Sequence, residues 1–411
     1  MIIGIIVVVV VIAAIVILGL NSVNIIKGTQ TTEDYDYQND GKVVEREDVE
    51  ESPESENGFF RDKSDCEGGK IIFNYPPVNL DKTELVIPLG LMTGGHVTPV
   101  DHQYFQDFNN DKADIEVYSP GAGTITNIEY MFGEYYEGNE LVEWEDFRLI
   151  IEHTCTISSI YIHIDVLSEK IAGQVPEKGG YASVRIPVEA GEIIGWYKNN
   201  VDYNLVDQEV ILPGLLIPEH YEREPWKVHV PDTLEYFNEE IKNKIIEKSL
   251  RFEEPIAGKF DWDVDGRLRG NWFEEGTNYY AGSGDENYWV SQISISPDYL
   301  DHDQIIVSMG RYDGGEAQFG VKGNSPDPAE VSVESGLIKY ELVRYDYYTT
   351  SGEIWDRTTL AKIKEVRNYD DIRGVVLVEM IDDRRMKFEA FPGKTASEVG
   401  GFTEGVRIYE R

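Results

Sequence analysis

The stretch HVTPVDH, positions 96–102, sets His96, Asp101 and His102 directly after the glycine pair Gly94 and Gly95, in a chain with seven histidines. Imidazole nitrogen and carboxylate oxygen are donors that hold a divalent cation. A hydrolytic zinc centre uses about three protein ligands and keeps one position for the water that attacks. Further along stand His153 and His163 in HTCTISSIYIH, Asp202 in NNVDYNLVD, and His229 in KVHVPD. A second acidic motif, DWDVDG at 261–266, spaces Asp261, Asp263 and Asp265 as a calcium loop begins. Its twelfth position is Trp272 rather than a glutamate and no helical pattern flanks it, so calcium there would require a turn other than an EF-hand. The competing reading is an acidic turn ahead of the strand GRLRGNWF.

These residues need elements to position them. From Lys70 the sequence runs in short alternating segments with turn punctuation, such as GKIIFNY, ELVIPLG, IEVYSPGAGTITNIEYM and FRLIIEH. That pattern predicts an antiparallel β domain over 70–231. Next comes DTLEYFNEEIKNKIIEKSLR, where Asp232 can cap a helix, Glu235 follows three residues on, and Leu234, Phe237, Ile241 and Ile245 form one apolar stripe. One linking helix is expected over 232–252. YWVSQISIS, QIIVSMG, GLIKYELVRY and GVVLVEMI then predict a second antiparallel β domain over 253–411, a barrel or a sandwich. The fold class is mainly β. On these elements His153 reads as a hydrogen-bonded structural histidine, His220 and His302 as surface residues, and Trp272 as a core aromatic.

Charge narrows the partners. Asp and Glu number 76 against 37 Lys and Arg, a net charge of −39 over 411 residues, and a nucleic-acid backbone needs a basic footprint that this chain lacks. Cations or basic surfaces fit better, and acidity also serves solubility alone. Residues 1–20, MIIGIIVVVVVIAAIVILGL, carry no charge. About 20 apolar residues span a bilayer core, and no basic leader precedes them, so residues 1–26 are expected as a single-pass membrane anchor. An acidic linker over 27–69 follows, with the bulk of the chain outside the cell. Cys66 and Cys155 are the only cysteines; outside the cell they could pair, and two buried thiols are the alternative.

Several motifs in order resemble the lysostaphin or LytM-type zinc endopeptidases, a family with a β-sheet scaffold (the duplicated hybrid motif fold) that cleaves peptide cross-links in bacterial cell walls. VYSPGAGTITNI at 117–128 is similar to the family's strand, turn and strand. LIIEHTCTISSIYIHI at 149–164 matches its V-I-x-H…Y-x-H-L, with the family's spacing from His153 through Tyr161 to His163. VEAGEIIGW at 188–196 and VPDTLEYF at 230–237 resemble the segments that follow. The resemblance implies a zinc site drawn from a His-x-x-x-Asp motif and a late His-x-His, with the Tyr-x-His histidine orienting or protonating the reacting groups. Here His96 and Asp101 are five apart rather than four, and the late motif reads Asn200, Val201, Asp202. His163 takes the catalytic position if the protein is active. Either Asp202 joins His96, Asp101 and His102 around zinc or another divalent cation, or the site has lost its metal and the polar groups satisfy one another. His229 is a further ligand if the 206–228 loop folds back. The implied protein is a membrane-anchored cell-surface module with a non-catalytic peptidase-like domain that binds a surface polymer or protein; the alternative is an active metal-dependent endopeptidase.

Overall fold

The computed structural model describes residues 68–137, 140–284 and 286–411. The expected anchor, and all of the expected linker before Gly68, lie outside the described residues. Among the described residues no helix is long and apolar enough to cross a membrane.

Alternating sequence over 85–207 gives β1 (Leu85–Ile87), β2 (Gln103–Gln106), β3 (Ile115–Tyr118), β4 (Gly123–Glu137), β5 (Glu140–Glu152), β6 (Ile157–Ile164), β7 (Val166–Leu167), β8 (Tyr181–Val188), β9 (Ile193–Tyr197) and β10 (Asn200–Asp207), with a short helix α1 (Glu169–Ala172) before β8. Seven of these strands make one antiparallel sheet, ordered β1-β2-β10-β6-β5-β4-β8, and β3-β9-β7 form a smaller one. A shared apolar core holds Ile125, Leu149, Tyr161 and Tyr203 of the large sheet against Val117, Ile194 and Tyr197 of the small one. Hydrophobic burial of this kind contributes about 25 cal/mol per Å² of apolar surface removed from water.

The interior strand β10, paired on both sides by β2 and β6, is buried along its whole length. Val201, Tyr203 and Leu205 enter the core, so the period of two turns Asn200, Asp202 and Asn204 to the opposite face. That face carries the site.

The expected helix over 232–252 is divided. Thr233–Tyr236 is a single 3-10 turn capped by Asp232, whose Oδ1 accepts from the Leu234 N–H at 2.9 Å. The chain then extends through Phe237, and Asn238 caps α2 (Glu239–Lys248) by accepting from the Ile241 N–H at 3.1 Å. Glu235 turns away to pair with Lys242 at 2.6 Å instead of closing a box on Asp232. The stripe itself holds: Leu234, Phe237, Ile241 and Ile245 are all buried.

The C-terminal strands β11 (Gly270–Glu274), β12 (Gln292–Pro297), β13 (Ile305–Tyr312), β14 (Gly315–Val321), β15 (Ile338–Thr349), β16 (Ile363–Asp382), β17 (Arg385–Pro392) and β18 (Arg407–Glu410) follow one another around a closed barrel, not a sandwich. Its interior is filled by Trp272, Ile293, Val307, Tyr340, Val376, Phe388 and their neighbours. Trp272 is fully buried, donating from Nε1 to the Leu268 carbonyl at 2.8 Å beneath the Arg411 guanidinium.

The far halves of β15 and β16 leave the barrel as an arm. There Tyr347, Trp355, Ile363 and Val366 share an apolar cluster with Leu85, Ile87, Tyr104 and Leu250. The Ile363 N–H also donates to the Leu250 carbonyl at 3.0 Å. Residues on both sides of position 252 thus share a core, and the described residues fall within one compact unit.

Candidate functional site

The site lies on the sheet face opposite the main apolar core. Its loop begins with the tight turn Thr93–His96, closed by two backbone hydrogen bonds, in which Gly94 takes φ +50°. Gly95 lies under the Trp289 indole, where a Cβ would come within 3.0 Å of the ring, and the Gly94 carbonyl accepts from Gln318 Nε2 at 3.1 Å. Barrel residues thereby fix the loop that presents His96, Asp101 and His102. β10 supplies Asp202 with Asn200 and Asn204.

β6 supplies His163 through a break in its alternation. Tyr161 is buried in the apolar core, and strict alternation would send His163 after it. A positive φ of +71° and a register shift between β5 and β6 turn the imidazole to the other face, where Nδ1 donates to Asp146 Oδ2 at 2.6 Å. Such a backbone conformation costs a non-glycine residue of the order of 1 kcal/mol and is repaid here by this bond.

Charge is paired throughout. His102 Nδ1 lies 3.4 Å from Asp101 Oδ1, and its Nε2 lies 3.4 Å from Asp202 Oδ2. His163 Nε2 is 3.8 Å from that same Asp202 oxygen. A residue not anticipated, Lys227, brings its ammonium within 3.4 Å of Asp101 Oδ1 with a side chain only 2% exposed. It lies on a 3-10 turn, Pro225–His229, and faces the rings of Phe260 and Tyr280.

These neighbours set the protonation states. Burial disfavours a charged His163, but Asp146 and Asp202 outweigh it and raise the imidazole to about 9. His102 is likewise raised, with burial outweighed by Asp202 and Asp101. Burial, helped by His102 and Lys227, pushes His96 down to about 3, so its ring is neutral. Burial opposes ionisation of Asp101, yet Lys227 and His102 hold its carboxyl well below the usual range.

A divalent cation needs lone pairs turned to one common point. Here the lone pairs of both carboxylates are already directed to protein groups. Asp101 Oδ2 accepts from Asn204 Nδ2 at 3.1 Å, and Asp101 Oδ1 faces Lys227 and His102. Asp202 Oδ1 accepts from Asn200 Nδ2 at 2.9 Å, and Oδ2 faces His102 and His163. Among the described residues no group of three or more His, Cys, Asp or Glu is placed to hold a metal ion. The donor set does not fit a bound zinc, because a buried ammonium sits against the first carboxylate where a dication would compete for the same oxygen.

The structure therefore brings together His96, Asp101, His102, His163 and Asp202, and adds Lys227, Asp146, Asn200 and Asn204. The asparagines were legible in the period of NVDYN; Lys227 was hidden because a lysine reads as a surface residue. His229 is turned elsewhere, its Nδ1 2.6 Å from the Val210 carbonyl. His153 is structural as expected, held by the Ala122 carbonyl at 3.1 Å and Ser159 Oγ at 2.9 Å, and burial lowers it to about 4. His302 is not a free surface residue: it is half-buried and its Nδ1 accepts from Arg251 at 3.0 Å. His220 is stacked on Tyr279, with ring centroids 3.5 Å apart.

The calcium motif is dispersed as well. Asp261 takes the Gly214 N–H at 3.0 Å and pairs with Lys259. Asp263 takes the Asn271 N–H at 2.7 Å and Arg411 at 3.3 Å, and Asp265 pairs with Arg384 at 2.9 Å. The three carboxylates organise the entry to the barrel and do not converge on one another.

Cys155 is disulfide-bonded; the chain's other cysteine, Cys66, lies outside the described residues.

No protein-family model and no curated protein matches this chain. Among solved structures, the NMR solution structure of lysostaphin aligns with 65% of this chain and 88% of that one, at 9% identity and a TM-score of 0.18, a likeness too slight to carry an argument.

Proposed function

We propose that the protein is a surface scaffold or binding module, held to the membrane by residues 1–20, whose peptidase-like site is closed by an internal cation instead of a metal. The observation that carries this reading is the Lys227 ammonium, 2% exposed and 3.4 Å from Asp101 Oδ1. A buried ion pair is costly to open, because either partner left alone is an uncompensated charge; breaking one costs about 3–5 kcal/mol. Metal entry at Asp101 would have to meet that cost. Export is supported by the uncharged run at the N-terminus and by the disulfide at Cys155, a bond that persists in oxidising surroundings. The binding partner is then a surface polymer or protein, consistent with a strongly acidic chain that repels nucleic acid.

The test is metal content and peptide cleavage measured together. After incubation with zinc and desalting, elemental analysis should find well under one zinc per chain, and wall cross-link peptides should remain intact. One zinc per chain, lost in His102→Ala along with peptide cleavage, would establish the metal-dependent endopeptidase in its place.

A further inference from the structure

We propose that Lys227 and Asp101 become joined by an intramolecular isopeptide bond between Nζ and Cγ, formed by the folded chain with loss of water. The inference deepens the proposed function and rests on its ion pair: the pair is the precursor of the bond, and the amide that replaces it keeps Asp101 from a metal in its turn.

Four features of the geometry point to it. First, Nζ stands 3.4 Å from Oδ1, beside the carboxyl whose Cγ it would attack, and the two side chains are 2% and 5% exposed, so the pair is held together away from water. Second, the amine is flanked by aromatic surfaces, with the Tyr280 and Phe260 ring centroids at 5.1 and 5.6 Å. Water that would hydrate the ammonium or hydrolyse the product is kept out, and the pair's neutral amine and acid form differs from its ionic form by one proton moved across the contact. Third, Asn204 Nδ2 donates to both Asp101 Oδ2 at 3.1 Å and the Asp101 backbone carbonyl at 2.9 Å. This clamp holds the carboxyl in one orientation and puts a donor on the oxygen that gains charge when Cγ is attacked. Fourth, His102 Nδ1 stands 3.4 Å from Oδ1, the oxygen that must leave. Proximity alone is a large factor: well-oriented intramolecular reactions reach effective molarities of about 10⁵–10⁸ M.

The step balances without any outside reagent. The ammonium gives one proton to Oδ1, leaving an amine and a carboxylic acid. The Nζ lone pair attacks Cγ, and the carbonyl electron pair moves onto Oδ2, where Asn204 donates. His102 passes a proton to the Oδ1 hydroxyl and recovers one from Nζ. The electron pair on Oδ2 then re-forms the carbonyl as the Cγ–Oδ1 bond breaks; Oδ1 departs as water, and in the net balance it carries away two of the ammonium's three protons while the third stays on the amide nitrogen. The bond ties positions 126 residues apart, fastening the loop before β2 to the 3-10 turn after β10.

Intact mass spectrometry of the full chain, reduced to open the disulfide, reads the bond directly. The expected mass is one water below that of the sequence. After proteolysis, a branched peptide should join the segment holding Asp101 to the one holding Lys227. Lys227→Arg keeps a cation but should restore the full mass, and His102→Gln should lower the fraction of the lighter species in freshly made protein. A wild-type chain at full mass overturns the proposal, and this reading needs no variant to fold. The two proposals fail separately. Full mass with no bound zinc sinks the cross-link and leaves the closed ion pair, whereas a chain one water lighter that still takes up one zinc keeps the bond and removes the closed-site reading.

Discussion

At the scale of single residues, the site is governed by which carboxylate each cation faces. His163 shows this best, because one strained backbone position places it between Asp146 and Asp202. Its imidazole is raised from 6.5 to about 9. The folded state therefore binds this proton more tightly than the unfolded chain does. The stabilisation is fully present below pH 6.5 and is lost as pH rises through 9, amounting to of the order of 3 kcal/mol. Proton NMR should find the His163 ring titrating near pH 9, and Asp146→Asn should move that midpoint down by at least one unit. His153 has the opposite sign. Burial lowers it to about 4, so its neutral form stabilises the fold above pH 6.5, and that contribution is lost as pH falls through 4. Lys227 offers a second residue-scale test. Lys227→Met leaves Asp101 buried without its cation and should cost about 3–5 kcal/mol in chemical denaturation, and adding Asp101→Asn should recover a large part of the loss. If the double variant were no more stable than the single one, the pair would not be what makes Lys227 necessary.

At the scale of elements, the strands were legible and the exceptions to regularity were not. Alternation in NVDYNLVD assigns Val201, Tyr203 and Leu205 to one face and Asn200, Asp202 and Asn204 to the other, which is how β10 divides core from site. The same rule misplaces His163, since a left-handed residue leaves no mark in a pattern of apolar and polar types. The helix shows a different failure. Leu234, Phe237, Ile241 and Ile245 keep helical spacing, yet the chain extends at Phe237 and restarts at Asn238. Both Asp232 and Asn238 are capping residues, and each caps its own turn, so a single stripe conceals two starts. Asn238→Ala should accordingly cost about 0.5–2 kcal/mol in denaturant unfolding, because it releases the Ile241 N–H at the start of α2. Asp232→Ala should leave the far-ultraviolet helical signal of α2 unchanged. An equal loss of helix in the two variants would mean that one continuous helix exists in solution.

At the scale of the whole molecule, the question is whether the first sheet and the barrel unfold separately. Sequence patterning suggests two domains, because alternation cannot reveal that the β15–β16 hairpin is longer than its barrel. The excess forms the arm, which buries Tyr347, Trp355 and Ile363 against Leu85, Tyr104 and Leu250. The contact also has polar anchors: the Leu360 N–H donates to Glu84 Oε1 at 3.0 Å, and Lys362 Nζ donates to the Ile246 carbonyl at 2.7 Å. On the other side Tyr280 donates to Glu224 at 2.9 Å beside Lys227, and Gln318 holds Gly94. Unfolding either part would expose the other's half of these contacts, so the cost of separation is added to the first step and withheld from the second. Calorimetry of the described region should show one transition, with calorimetric and van't Hoff enthalpies equal. Trp355→Ala removes a large side chain that is 6% exposed at the junction and should cost about 3–5 kcal/mol. Because both parts lean on that ring, tryptophan fluorescence from the barrel and the ellipticity of the whole should shift to lower temperature together. Two resolved transitions in the unmodified protein would show instead that the arm is a contact between independent domains, and that the barrel holds the site's loop without contributing to its stability.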